Sequence, residues 1–205
     1  MEEKSQVPVV NIANALTVLR LLLVPVFIWL LLDPAVERRW LAWIVFAIAA
    51  MTDQLDGHLA RSRGLITDFG KLADSIADKA LILSAMIMAS INGWLWWWVT
   101  IIFIVRELGI TIMRMVVVKK KVMAAGRGGK IKMTAQVFGV GGLVIPWHAF
   151  LPDALATGIV WFFYALIAIA LFFALTSAWE YIREARSLDD EPSAEDGPSV
   201  GDDRA

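Results

Sequence analysis

Four aspartates, Asp53, Asp56, Asp74 and Asp78, stand within a short stretch of an otherwise strongly apolar chain. Asp53 and Asp56 are three residues apart and Asp74 and Asp78 four apart, so on helices each pair shares one face. Like charges brought together in apolar surroundings cannot all stay ionised without compensation, so something positive should lie between them. Oxygen donors select hard divalent cations, Mg²⁺, Mn²⁺ or Ca²⁺. Four carboxylates suffice for two such ions, the arrangement that clamps a phosphoryl group during displacement. The alternative is a set of surface charges paired with Arg61, Arg63, Lys71 and Lys79. Cysteine is absent, which excludes disulfides, thiolate metal sites and a thiol nucleophile.

The elements that must position these aspartates are membrane helices. The chain has 205 residues, 59% apolar and 19% charged, with a mean hydropathy of +0.65. Both the apolar excess and the charge deficit argue against a soluble enzyme. The apolar residues fall into six blocks near the length of about 20 residues that a spanning helix needs: 12–32, 40–60, 72–92, 94–118, 133–152 and 154–180. Turn signals separate them at Asp33-Pro34, Gly64 and Gly70, Asn92-Gly93, Gly126-Arg127-Gly128-Gly129 and Pro152-Asp153. The expected fold is therefore an all-α integral membrane bundle of six transmembrane helices. Its second helix must carry Asp53 and Asp56 in its last turns and its third Asp74 and Asp78 in its first. The short link between them predicts antiparallel neighbours, with the four carboxylates at one level.

Lys and Arg accumulate in short cytoplasmic loops, which orients the bundle. Arg61, Arg63 and Lys71 in one connection, and Lys119, Lys120, Lys121, Arg127, Lys130 and Lys132 in another, put the carboxylate end and both termini inside. Only Arg38 and Arg39 depart from the pattern. Trp94, Trp96, Trp97 and Trp98 fall at an outer end, where indoles anchor at headgroup level. The first block is too long for a signal h-region and reads as an uncleaved anchor. Residues 189–205 hold seven acids and one base, leaving +5 on the catalytic body, residues 1–188. This acidic segment has too little apolar surface to fold and reads as a disordered tail.

Together the positions read Asp53-x-x-Asp56-Gly57-x-x-Ala60-Arg61, then eight residues, then Gly70-x-x-x-Asp74-x-x-x-Asp78. This string resembles, with no departure at a fixed position, the signature of the CDP-alcohol phosphatidyltransferases, integral membrane enzymes of phospholipid synthesis. The resemblance implies a six-helix membrane fold, commonly a homodimer, with two Mg²⁺ or Mn²⁺ ions at the cytoplasmic side. It implies transfer of the phosphatidyl group of CDP-diacylglycerol to an alcohol with release of CMP. It makes Asp53, Asp56, Asp74 and Asp78 the metal carboxylates, and Asp78 also the general base. Asp56, Gly57, Ala60, Arg61 and Gly70 would border the CDP moiety.

The acceptor must be read from outside the signature. Arg106 and Arg114 lie eight residues apart in the fourth helix, about 12 Å along its axis and roughly 80° in azimuth, and Lys130 and Lys132 open the fifth. Glu107 adjoins Arg106, and adjacent positions do not face each other on a helix, which leaves a basic surplus that a phosphate-bearing acceptor would satisfy. The alternative is that these are positive-inside residues attracting anionic headgroups. Three further stretches resemble the members of the family that use glycerol 3-phosphate: Asn11-Ile12-Ala13-Asn14-Ala15-Leu16-Thr17-Val18-Leu19-Arg20, Arg106-Glu107-Leu108-Gly109-Ile110-Thr111-Ile112-Met113-Arg114 and Gly129-Lys130-Ile131-Lys132-Met133-Thr134. The first departs from the common form in having Ala13, where proline is usual. By this resemblance Thr17, Arg106, Arg114, Lys130 and Lys132 would bind the acceptor phosphate. Rival acceptors are phosphatidylglycerol, giving cardiolipin, and inositol phosphate. A cation transporter is the rival from another class, but transport sites lie near the bilayer midplane. The partners expected are these substrates, membrane lipids and a second copy, with no nucleic acid, in a bacterial inner membrane.

Overall fold

The computed structural model describes residues 12–62, 68–117 and 127–189. They form six helices: α1 (Ile12–Leu31), α2 (Val36–Ser62), α3 (Asp68–Ile91), α4 (Trp97–Val117), α5 (Arg127–Val144) and α6 (Asp153–Asp189), with one 3-10 turn, Trp147–Ala149, before the last. No strand occurs among the described residues. The number and order of helices match the six apolar blocks, and the boundaries differ where polar residues begin a helix. α3 starts at Asp68, so Gly70 lies within it. α5 starts at Arg127, so Gly128 and Gly129 are helical where the sequence predicts a turn. The Asn92-Gly93 turn stands as expected: Gly93 has φ +73°, and Asn92 Nδ2 donates to Met88 O at 2.9 Å and to Leu31 O at 3.2 Å. Most of the acidic tail, 190–205, and the lysine run 119–121 lie outside the described residues.

Among the described residues two helices are long and apolar enough to cross a membrane by length and composition, through Asn14–Leu31 and Asp153–Trp179. The exterior is that of a membrane-associated protein. Only 17% of the Asp153–Trp179 stretch is buried, and Trp161, Phe162, Phe172, Leu175 and Trp179 face outward. A continuous apolar surface of this kind is poorly suited to water.

One packing detail reorganises the site. The antiparallel α2–α3 pair expected from the short link is not the main contact, because α1 packs extensively against both helices and they touch each other only slightly. The interior is then closed by Phe27 against Phe46, with Met86, Phe103 and Val140 fully buried behind them. Buried Ser90 and Thr100 share a hydrogen bond of 2.7 Å between α3 and α4, and Gln136 Nε2 of α5 donates to Met86 Sδ of α3 at 3.1 Å.

α5 and α6 share the other large interface, which glycines bring close. A Cβ on Gly139 would meet Ile167 Cγ1 at 2.7 Å and backbone atoms of α6, Ile167 N at 3.2 Å and Phe163 O at 3.3 Å. Gly141 is covered by the Phe46 ring and Gly142 by that of Phe163. Backbone cannot yield as a side chain can, so Gly139→Ala is expected to destabilise the bundle by about 1–3 kcal/mol. Gly158→Ala meets open space and gains only helix propensity, up to about 1 kcal/mol. Thermal unfolding of the two variants in one detergent checks this, and equal midpoints would count against tight α5–α6 packing.

The Arg38 and Arg39 departure has a structural reason. Arg39 Nε donates to Val144 O at 2.9 Å, and its Nη2 to Leu143 O and Ile145 O at 3.0 Å each, closing the C-terminal carbonyls of α5. Its guanidinium also lies 4.0 Å from the Trp94 ring centroid. Arg38 pairs with Asp33 at 3.4 Å and stacks over Trp29.

Candidate active site

Asp53 lies two-thirds of the way along α2 and Asp74 two turns into α3, and the structure joins them through a residue of α1. Arg20 is fully buried, and its Nη1 lies 2.7 Å from Asp53 Oδ1 and 3.1 Å from Asp74 Oδ1. A positive group between these two carboxylates is thus a guanidinium, supplied by α1, which packs against both α2 and α3. A permanently charged guanidinium suits this position, and its Nη1 alone serves both carboxylates. Asp78, one turn beyond Asp74, lies within electrostatic reach of Arg20, Asp53 and Asp74, and of Lys132 on α5. Thr17 and Asn14 are buried on the same helix as Arg20, Thr17 one turn before it.

Among the described residues no three Asp, Glu or His form a group that could hold a metal ion. The side chain of Asp56, the fourth expected ligand, is outside the described set, as are those of Arg61, Arg114 and Lys130. Gly57 and Ala60 follow Asp56 on α2, and Gly70 precedes Asp74 by one turn on α3. The donor chemistry suits hard cations: carboxylates from two helices already share one positive group. Of the basic residues offered as alternative partners, Lys79 turns to its own helix, bonding Ser75 Oγ at 2.7 Å and Ser75 O at 3.1 Å.

A second polar cluster joins α4, α5 and α6. Glu107 Oε1 accepts from Arg106 Nη1 at 3.0 Å and from Lys132 Nζ. Arg106 reaches on to α6, with Nη2 to Ser177 Oγ at 2.7 Å and Nε to Ala174 O at 3.3 Å. This corrects the argument that Glu107 cannot face Arg106. The rule for adjacent positions concerns Cβ directions, and two long side chains curl past it. The basic surplus is smaller than the sequence implies, because Glu107 neutralises part of it.

The functional groups missed from sequence are Arg20, Glu107 as a bridge, and Ser177. Arg20 carried a readable signal: it is the one charge in an apolar block of spanning length, and such a charge needs a partner. Ser177 carried none, being one small residue among many on α6.

Six apolar-faced helices with carboxylates of α2 and α3 gathered around a buried arginine define the class, a helical membrane-associated protein with a polar centre at one end of the bundle. The chain belongs to the CDP-alcohol phosphatidyltransferase family, whose model matches residues 10–178 and so takes in both clusters. Among relatives, the "Probable phosphatidylglycerophosphate synthase" of Mycobacterium tuberculosis is 45% identical over 141 residues, 67% of this chain and 68% of that protein. The CDP-diacylglycerol–glycerol-3-phosphate 3-phosphatidyltransferase of Bacillus subtilis is 34% identical over 186 residues, covering 83% of this chain and 93% of its own. The Escherichia coli K12 protein of the same name is 32% identical, covering 86% and 96%.

Proposed function

We propose that this protein transfers the phosphatidyl group of CDP-diacylglycerol to glycerol 3-phosphate, giving phosphatidylglycerophosphate and CMP. The observation that carries the reading is the pairing of two clusters in one bundle, carboxylates of α2 and α3 around Arg20 and cations of α4 and α5 around Glu107. The first would suit a diphosphate whose charge a divalent cation offsets, the second an anionic acceptor. The names of the relatives support this acceptor.

In the reaction, the acceptor hydroxyl oxygen bonds to the phosphatidyl phosphorus while the bond from that phosphorus to the bridging oxygen breaks. CMP leaves with the electron pair, and the hydroxyl proton passes to Asp78. Asp53, Asp56, Asp74 and Asp78 would hold two divalent cations, which when bound supply positive charge to the diphosphate. Arg20 keeps Asp53 and Asp74 at fixed separation. Asp56, Gly57, Ala60, Arg61 and Gly70 border the CDP moiety. Thr17, Arg114, Lys130 and Lys132 hold the acceptor phosphate, with Arg106 behind them. An apolar groove of about 530 Å³ between α5 and α6, lined by Ile131, Phe138, Phe162, Phe163, Leu166 and Ile169, offers room for an acyl chain.

All six helices cross a bacterial plasma membrane, with the carboxylate end and both termini cytoplasmic, as the loop charges indicate. The unit working in the membrane is a homodimer, and residues 189–205 are a tail apart from the catalytic body.

The test is CMP release by the purified protein from CDP-diacylglycerol with Mg²⁺ or Mn²⁺, comparing glycerol 3-phosphate, inositol phosphate, phosphatidylglycerol and free inositol. Cation-dependent release with glycerol 3-phosphate alone is expected. Preference for another acceptor would overturn the reading of α4 and α5, and no release with any acceptor would reopen cation transport. The double variant Lys130→Gln, Lys132→Gln is expected to raise KM for glycerol 3-phosphate about tenfold or more, the worth of one charged hydrogen bond, and to leave KM for CDP-diacylglycerol nearly unchanged. Equal increases for both substrates would remove the acceptor-phosphate pocket.

A further inference from the structure

The two cations that Glu107 bridges are held very differently. The side chains concerned are nearly enclosed, with Glu107 14% exposed and Arg106 and Lys132 10% each. Arg106 is fastened to α6 through Ser177 Oγ and Ala174 O, two bonds that do not involve Glu107. Lys132 is bonded, among the described residues, through Glu107. Its ammonium rides on a flexible four-carbon stem with three donors, so it can exchange one acceptor for another without backbone movement.

The exchange is asymmetric in a useful way. If Lys132 turned to another anion, Glu107 would keep Arg106 and would not become an isolated buried charge. If Glu107 were lost, Lys132 would stay enclosed with no described counter-charge bonded to it. We propose that Glu107 is an exchangeable counter-ion for Lys132, holding the ammonium in the empty site and ceding it to the phosphate of the incoming acceptor. Glu107 is then a positioning residue that acts through Lys132 and sets how readily the site accepts a phosphate-bearing alcohol. The inference rests on the glycerol 3-phosphate reading above. It also accounts for a carboxylate standing among the cations of an anion pocket, where attraction alone would favour none. The internal carboxylate keeps these cations from capturing any passing anion, and an acceptor must outcompete it.

The experiment is steady-state kinetics on the full chain, varying glycerol 3-phosphate and CDP-diacylglycerol separately, for wild type, Glu107→Gln, Glu107→Asp and Lys132→Gln. Removing the competing charge is expected to lower KM for glycerol 3-phosphate about threefold or more in Glu107→Gln, half or more of a charged hydrogen bond, with KM for CDP-diacylglycerol unmoved. Glu107→Asp keeps the charge but draws it back, and a smaller decrease is expected; it serves if the Gln variant does not fold. Inorganic phosphate as a probe should raise the unfolding midpoint of Glu107→Gln more than that of wild type. An acceptor KM that is unchanged or raised in both Glu107 variants, or an equal phosphate shift, overturns the exchange. Failure of the underlying reading looks different: Lys132→Gln would then leave the acceptor KM unchanged.

Discussion

Asp78→Asn is expected to lower the rate of CMP release by about 10²–10⁴-fold, the usual contribution of a general base, while the protein stays folded and still binds CDP-diacylglycerol. The substitution keeps shape and removes the proton acceptor. Asp78 can be changed in this way because the ion pairs linking α1 to α2 and α3 run through Asp53 and Asp74 instead. It lies one turn beyond Asp74 on α3, next to the carboxylates that Arg20 joins. Turnover at fixed saturating substrates, beside the unfolding midpoint of the same preparation, separates chemistry from folding. Activity within tenfold of wild type would remove Asp78 as the base.

The second large effect is expected at Arg20. Arg20→Met keeps much of the side-chain volume and leaves the Asp53 and Asp74 carboxylates facing each other without their guanidinium. Breaking a buried pair from one side costs about 3–5 kcal/mol. The lower end applies here, because Asp74 is 48% exposed and water screens it, whereas Asp53 is 22% exposed and bears most of the loss. Activity should fall with stability, since the same contact sets the separation of the carboxylates. Arg20→Lys restores the charge on a side chain of different length and donor geometry, and an intermediate unfolding midpoint is expected. A midpoint for Arg20→Met equal to wild type would show that the two carboxylates do not depend on α1.

Much of this arrangement is legible in the residues. Apolar runs separated by turn signals mark six helices, two of which are long and apolar enough among the described residues to cross a membrane. The spacing Asp53-x-x-Asp56 and Asp74-x-x-x-Asp78 marks helical faces. Which helix lies between those faces is not legible, since a short α2–α3 link predicts adjacency and says nothing of a third helix entering from outside. Arg20 could have corrected this, had its demand for a buried partner been set against the demand of the aspartates for a buried cation. The Glu107 bridge was hidden for another reason. Helical geometry locates Cβ atoms, and the ends of Arg, Lys and Glu side chains travel several bonds from there. The helix starts at Asp68 and Arg127 are not legible either, because a glycine near a helix start reads as a turn signal although a helix tolerates it at a modest cost.

The ties at the end of the bundle remote from the carboxylates have a mechanical meaning. There Arg39 grips three carbonyls of α5 and its connection, Tyr164 Oη donates to Trp94 O at 2.8 Å, and Asn92 reaches back to Leu31. These bonds use backbone oxygens, which no substrate can replace. At the other end α1, α2 and α3 meet through ion pairs, and so do α4 and α5, contacts an anionic or cationic ligand can rearrange. The two extremities of the bundle thus differ in kind: one is riveted through main-chain oxygens, while the other is held largely by paired side-chain charges, with Arg106 adding one main-chain bond to Ala174 O.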